Sequence, residues 1–96
     1  MQDEDLILTV EFCRHYQVEP TFLQSLGEFG LIELKEVENE KYIHKDALQA
    51  LEKFIHLHYD LNINMEGLDA IEQLLQRVKE MQLELIRLKS RLNIYE

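Results

Sequence analysis

Along the last third of the chain, apolar residues recur at alternating steps of three and four: Ile71, Leu74, Val78, Met81, Leu85, Leu88, Leu92 and Tyr95. With Ile71, Val78, Leu85 and Leu92 at heptad position a, the other four fall at d. Leu, Glu, Gln, Lys and Arg fill most of the positions between them, and no Gly or Pro interrupts. A helix over this stretch is about 37 Å long, more than a small domain needs to complete its core. Two arrangements satisfy the pattern: a helix folded back on its own domain, or a short coiled coil that makes the protein a homodimer. So narrow and sustained a seam would otherwise leave apolar surface in water. Dimerisation through Ile71, Leu74, Val78, Met81, Leu85, Leu88 and Leu92 is therefore expected. Leu83 at f and Ile86 at b widen the apolar face, so the helix has room to pack on its own domain or a partner as well.

The rest of the chain carries shorter patterns. Leu6, Ile7 and Leu8 lead into Thr9, an expected N-cap for a helix through Tyr16 whose apolar residues are Val10, Phe12, Cys13 and Tyr16. After a break at Gln17-Val18-Glu19, Pro20 suits the first turn of a second helix, with Glu19 as its cap. Phe22, Leu23 and Leu26 form the stripe of this helix and Gly30 its terminator. Two short helices so spaced read as a helix-turn-helix. Leu31 to Val37 then alternates roughly apolar and charged, Glu38-Asn39-Glu40 makes a polar tip, and Lys41-Tyr42-Ile43 returns, which predicts a β-hairpin wing. A third helix is expected from Lys45 to Leu61, with Asp46 near its positive end and Ala47, Leu48, Leu51, Phe54, Ile55, His58 and Leu61 on one face. Asn62-Ile63-Asn64 breaks the pattern, and Asn64 is a good cap for the final helix. Gly67 costs that helix about 1 kcal/mol relative to Ala, which points to a close backbone approach. The expected division is a domain over residues 1–63 and a long helix over 64–96.

The net charge of −9 is unevenly spread. Residues 1–40 hold ten acids against Arg14 and Lys35, whereas residues 71–96 hold four acids against five bases. An acidic N-terminal part repels phosphate backbones and attracts a basic protein partner. No apolar run approaches a membrane span, and the start, Met1-Gln2-Asp3-Glu4-Asp5, is acidic where a secretory signal is basic, so a cytoplasmic protein is expected. The single cysteine, Cys13, suits a reducing compartment and reads most simply as a small buried hydrophobe.

Catalytic and metal signatures are missing from the sequence. Cys13 and His15, like His56 and His58, stand two apart on helices and so face different ways; no CxxC or HExxH spacing occurs. His58, on the apolar face of the third helix, reads as a hydrogen-bonded core or interface residue. No glycine-rich phosphate loop and no nucleophile elbow is present, so neither an enzyme nor a cofactor is expected. The acids Glu28, Glu33, Glu36, Glu38 and Glu40 are either a solvated face or an electrostatic docking surface for a basic helix.

The order helix-turn-helix, wing, third helix and coiled coil resembles the MerR-like winged helix, on Val18, Leu23, Gly30, Leu31, Ile32, Tyr42 and Leu51. MerR regulators carry arginine and aromatic residues in the second helix and arginines in the wing. This chain has Gln24, Ser25 and Leu26 in the one and Glu33, Glu36, Glu38 and Glu40 in the other. Groove and phosphate contacts need cations, so this departure argues against nucleic-acid binding. A closer resemblance is to the chaperone-modulator family CbpM. It rests on Glu11-Phe12-Cys13 with His15, on Gly30-Leu31-Ile32, and on Asp60-Leu61, Asn64 and Gly67 before the leucine-rich coil. Met65 stands where that family has an aromatic, and Glu66 where it has a proline.

The resemblance implies a mainly α fold: a MerR-like winged helix-turn-helix with a small β-hairpin wing, followed by a long C-terminal helix. It also implies a partner. CbpM proteins bind the J-domain of a DnaJ-like co-chaperone, CbpA, and inhibit both its co-chaperone action and its DNA binding. J-domains present a basic helix to the acidic surface of DnaK, and an acidic small protein is suited to occupy that helix instead. The resemblance assigns no contact residues; the charge pattern nominates Glu28, Glu33, Glu36, Glu38 and Glu40. The alternatives are a MerR-type DNA-binding regulator, which would need a basic face built from Lys35, Lys41, Lys45 and Lys53, and a coiled-coil adaptor for an unrelated protein.

Overall fold

In the computed structural model, which describes residues 5–94, the chain begins with a strand that the hydrophobic pattern did not announce. β1 (Leu6–Leu8) runs directly into α1 (Thr9–Tyr16). Because β1 is paired with a later strand up to Leu8, the backbone stays extended through that residue, which takes the N-cap position with no side-chain bond. Thr9, the expected cap, is instead the first helical residue. α1 ends at Gln17, whose φ of 58° turns the chain, and the Cys13 carbonyl accepts from the Gln17 N–H and, at 3.1 Å, from Val18.

α2 (Pro20–Glu28) starts with Pro20 in its first turn, where the missing N–H costs no intrahelical bond. Glu19 holds the cap position, but its carboxylate makes no capping bond, a second departure from expectation; its own N–H donates to the Tyr59 hydroxyl at 3.2 Å. The far end is a Schellman closure. Gly30 takes φ of 77°, its N–H reaches the Gly27 carbonyl at 3.0 Å, and Leu31 reaches Leu26 at 2.9 Å.

The wing is β2 (Leu34–Val37) and β3 (Glu40–His44). Glu38 and Asn39 both have positive φ, 53° and 68°, the requirement of a two-residue type I′ hairpin turn. The tip is therefore one residue shorter than expected, and Glu40 belongs to the strand, opposite Val37. All three strands are antiparallel, in the order β1-β3-β2, with Ile7 and Leu34 on either side of Ile43.

The expected third helix from Lys45 to Leu61 changes pitch twice. A 3₁₀ turn (Lys45–Ala47) opens it, because the His44 Nδ1 accepts the Asp46 N–H at 3.1 Å. α3 (Leu48–Ile55) follows, and a π turn (His56–Asp60) closes it. There His58 and Tyr59, neighbours in sequence, both lie against Phe22, at ring-centroid distances of 4.7 and 5.3 Å. Asn62 has φ of 62° and ends the segment. α4 (Met65–Ile94) starts as expected at Asn64, whose Oδ1 accepts the Gly67 N–H at 2.8 Å.

The core joins Phe12 and Cys13 of α1, Val18, Phe22, Leu23 and Leu26 of α2 and its lead-in, Ile43 of β3, Leu51 and Phe54 of α3, and Leu68 of α4. Only the first turns of α4 take part. Leu68 is fully buried, Ile71 half-buried, and a Lys53–Glu72 ion pair of 2.9 Å ties the helix to α3. From Gln73 to Asn93 every residue is exposed on every face. Tyr95, the last apolar position of the seam, lies outside the described residues.

Candidate functional site: the acidic wing and the free helix

Strand pleating decides where the wing acids go. In β2 and β3, Leu34, Glu36, Lys41 and Ile43 share the face turned towards α2 and the core, while Lys35, Val37, Glu40, Tyr42 and His44 share the outer face. Glu36 thus stands opposite Lys41, and Glu40 opposite Val37 on the other side, with Glu38 at the tip between them. Glu28 ends α2, where the Gln24 amide donates to its carboxylate at 3.3 Å. Glu28 and Glu33 meet Lys41 in an open cleft of about 380 Å³ between α2 and the wing, lined also by Gln24, Gly27, Ile32 and Leu34. The five nominated acids are all exposed, but they do not form one surface. Glu28 and Glu36 stand by Lys41 on the α2 side, Glu38 and Glu40 mark the tip, and Glu33 at the base of the wing borders hollows on both sides.

The cations do not assemble. Pro20, Thr21, Gln24 and Glu28 make up the exposed side of α2, and the helix holds no Lys or Arg. Lys45 is paired with Asp5 at 3.3 Å and Lys53 with Glu72. Lys35 and Lys41 lie on opposite faces of the hairpin.

On α4 the heptad residues Leu74, Val78, Met81, Leu85, Leu88 and Leu92 are exposed, Leu85 by 60%. Ile71 differs, being half-buried beside its own domain. The domain covers only the start of α4, at Leu68 and Ile71. Val78 falls on nearly the same side of the helix as Ile71, and Ile86 in line with Leu68, so they are exposed because the helix runs past the domain.

The titratable groups inside the domain are structural. Burial pushes the Cys13 thiol pKa up. The Tyr16 hydroxyl donates to Glu52 Oε2 at 2.8 Å, and that bond, aided by burial and the carboxylate's charge, raises the phenol pKa. Among the described residues no group of three His, Cys, Asp or Glu side chains is placed to hold a metal ion, and no helix is long and apolar enough to cross a membrane.

Sequence reasoning passed over one surface. Leu6, Leu8, Val37 and Tyr42 make an apolar patch on the outer face of the sheet. The signal was the run Leu6-Ile7-Leu8: a strand apolar on both faces has no period-two alternation to reveal it.

No curated protein and no solved structure matches the chain significantly. A family model described as MerR HTH family regulatory protein matches residues 7–90, from β1 through most of α4. Helix-turn-helix, wing and long terminal helix are thus the features of a recognised family, and the chain belongs to the MerR HTH family of regulatory proteins.

Proposed function

We propose that this regulator works on a protein rather than on DNA: it is a CbpM-like modulator that binds the basic J-domain of a DnaJ/CbpA-like co-chaperone and blocks its productive engagement of DnaK. The observation that carries the reading is the chemistry of the winged helix. Its second helix exposes Thr21, Gln24 and Glu28, and its wing exposes Glu33, Glu36, Glu38 and Glu40. A duplex-binding winged helix needs cations at those places, since phosphate contacts dominate affinity. A basic helix needs the acids that are there. The family is one of regulators, not enzymes, and the reading calls for no cofactor. The protein acts as a homodimer, its α4 seam covered by a second copy.

Membership of the MerR family supports one other reading, a DNA-binding transcriptional regulator. It would have to draw on Lys35, Lys41, Lys45 and Lys53, two of which are engaged in ion pairs and two of which face apart.

Calorimetric titration with a J-domain protein tests the first reading. Binding at low salt that weakens as salt rises is expected, since exposed charges are screened beyond about 8–10 Å at physiological ionic strength. No heat at low salt, together with retardation of operator DNA at physiological salt, would decide for the regulator.

A further inference from the structure

The three-stranded sheet has one face on the core, through Ile7, Leu34 and Ile43, and an outer face that none of the described residues packs over. A face turned to solvent is normally polar. Here four of its positions, spread over all three strands, are Leu6, Leu8, Val37 and Tyr42. Val37 is exposed and the other three partly so. Leu6, Val37, Glu38 and Tyr42 line an open hollow of about 340 Å³. Acids stand at both ends of this strip. Glu38 and Glu40 mark the tip, while Glu33 and Asp46 line a second hollow at the base with Lys35, His44 and Ala47. Lys35 is the only unpaired cation on the outer face of the wing strands among the described residues, Lys45 being held by Asp5.

We propose that this outer face is the docking site for an amphipathic helix with an apolar ridge and basic flanks. The inference rests on the functional reading above and narrows it: the partner's basic helix sits on the outer side of the wing, not on the α2 side where Glu28 and Glu36 lie. Three strands about 4.8 Å apart give a strip roughly 10 Å across, the width of one helix. The ridge lies on Leu6, Leu8, Val37 and Tyr42, and the flanking cations reach Glu38 and Glu40 at one end and Glu33 and Asp46 at the other. A second copy of the same face is a poor occupant, because it would set acids against acids.

Binding of a J-domain protein to the full-length chain, measured by titration calorimetry, tests the site. Val37→Lys removes an apolar contact and adds a like charge, and is expected to weaken binding about tenfold or more. Lys35→Glu removes the one opposing charge, and is expected to tighten binding about two- to fivefold at low salt and to lose that gain at high salt. Glu36→Lys, on the inner side, is expected to change affinity less than Glu40→Lys. Far-UV circular dichroism and the urea midpoint establish that each variant folds, and Lys35, exposed on a strand edge, tolerates exchange even if Val37 does not. Wild-type binding with Lys35→Glu and folded Val37→Lys both unchanged overturns the site but leaves the functional reading standing. A Val37→Lys protein that binds normally but has lost its own self-association also overturns it. No binding by the wild type overturns the functional reading and this inference with it.

Discussion

The imidazole Nδ1 of His58 lies 2.8 Å from the carbonyl oxygen of Ile63, joining the π turn to the lead-in of α4. A carbonyl can only accept, so that nitrogen carries a proton and the ring is fixed between the bond and the Phe22 face, 4.7 Å away. His58→Leu keeps the stacked bulk but leaves the half-buried Ile63 carbonyl without its donor. A loss of about 1–2 kcal/mol in urea unfolding is expected, with the helical content unchanged.

Ile63 also explains the glycine at the start of α4. A β-carbon on Gly67 would stand 2.6 Å from Ile63 Cγ2 and 3.2 Å from the capping Asn64 Oδ1. Gly67→Ala gains about 1 kcal/mol of helix propensity but meets an overpacking cost of about 1–3 kcal/mol. The expected sum is a net destabilisation of about 1 kcal/mol, read from the urea midpoint. A more stable protein would mean that Ile63 moves aside freely.

Alkaline pH should weaken the domain through two groups. The Tyr16 phenol, bonded to Glu52, and the Cys13 thiol, desolvated, both have folded pKa values raised above those of the unfolded chain. Their contribution is fully present below the unfolded pKa and is lost as pH rises through the folded one. On their account stability is level through neutrality and falls above the ordinary values of 9.0 and 10.0 for thiol and phenol. Tyr16→Phe should flatten the upper part of that fall in a series of urea melts against pH, and Cys13 should react with disulfide reagents only as the protein unfolds.

The α4 seam predicts a change of mass. Leu85 is 60% exposed in the single chain, so Leu85→Glu leaves the winged helix intact. In a coiled coil it buries an unpaired carboxylate at a core position of each helix. Sedimentation equilibrium should give a dimer for the wild type and a monomer for the variant. Equal masses would show that the seam serves something other than a second copy.

Residue pattern made some of these features readable before any coordinates. The Asn64 cap, the Gly30 terminator, the hairpin and the free heptad helix are local or periodic, and local chemistry is what a sequence displays. β1 was hidden because its outer residues, Leu6 and Leu8, are as apolar as its inner one, Ile7. The wing turn was read one residue long because Glu38-Asn39 lacks the usual Asn-Gly pair, although both residues adopt its positive φ. The third helix opens on a 3₁₀ turn, where His44 bonds the Asp46 N–H, and closes on a π turn, where His58 bonds the Ile63 carbonyl, and no helical periodicity encodes either contact. The acids of the candidate site were plain in the sequence. Their separation onto two faces was not, because it depends on a register that sets Glu36 against Lys41 and Glu40 against Val37.

The most direct test is the ATPase of DnaK stimulated by a J-domain co-chaperone, with this protein titrated into the assay. The expected result is a fall of the stimulated rate to the basal rate of DnaK alone, relieved as salt is raised and absent in a variant with Glu38 and Glu40 both changed to Lys. Stimulation that stays undiminished at concentrations where the J-domain is saturated would contradict it.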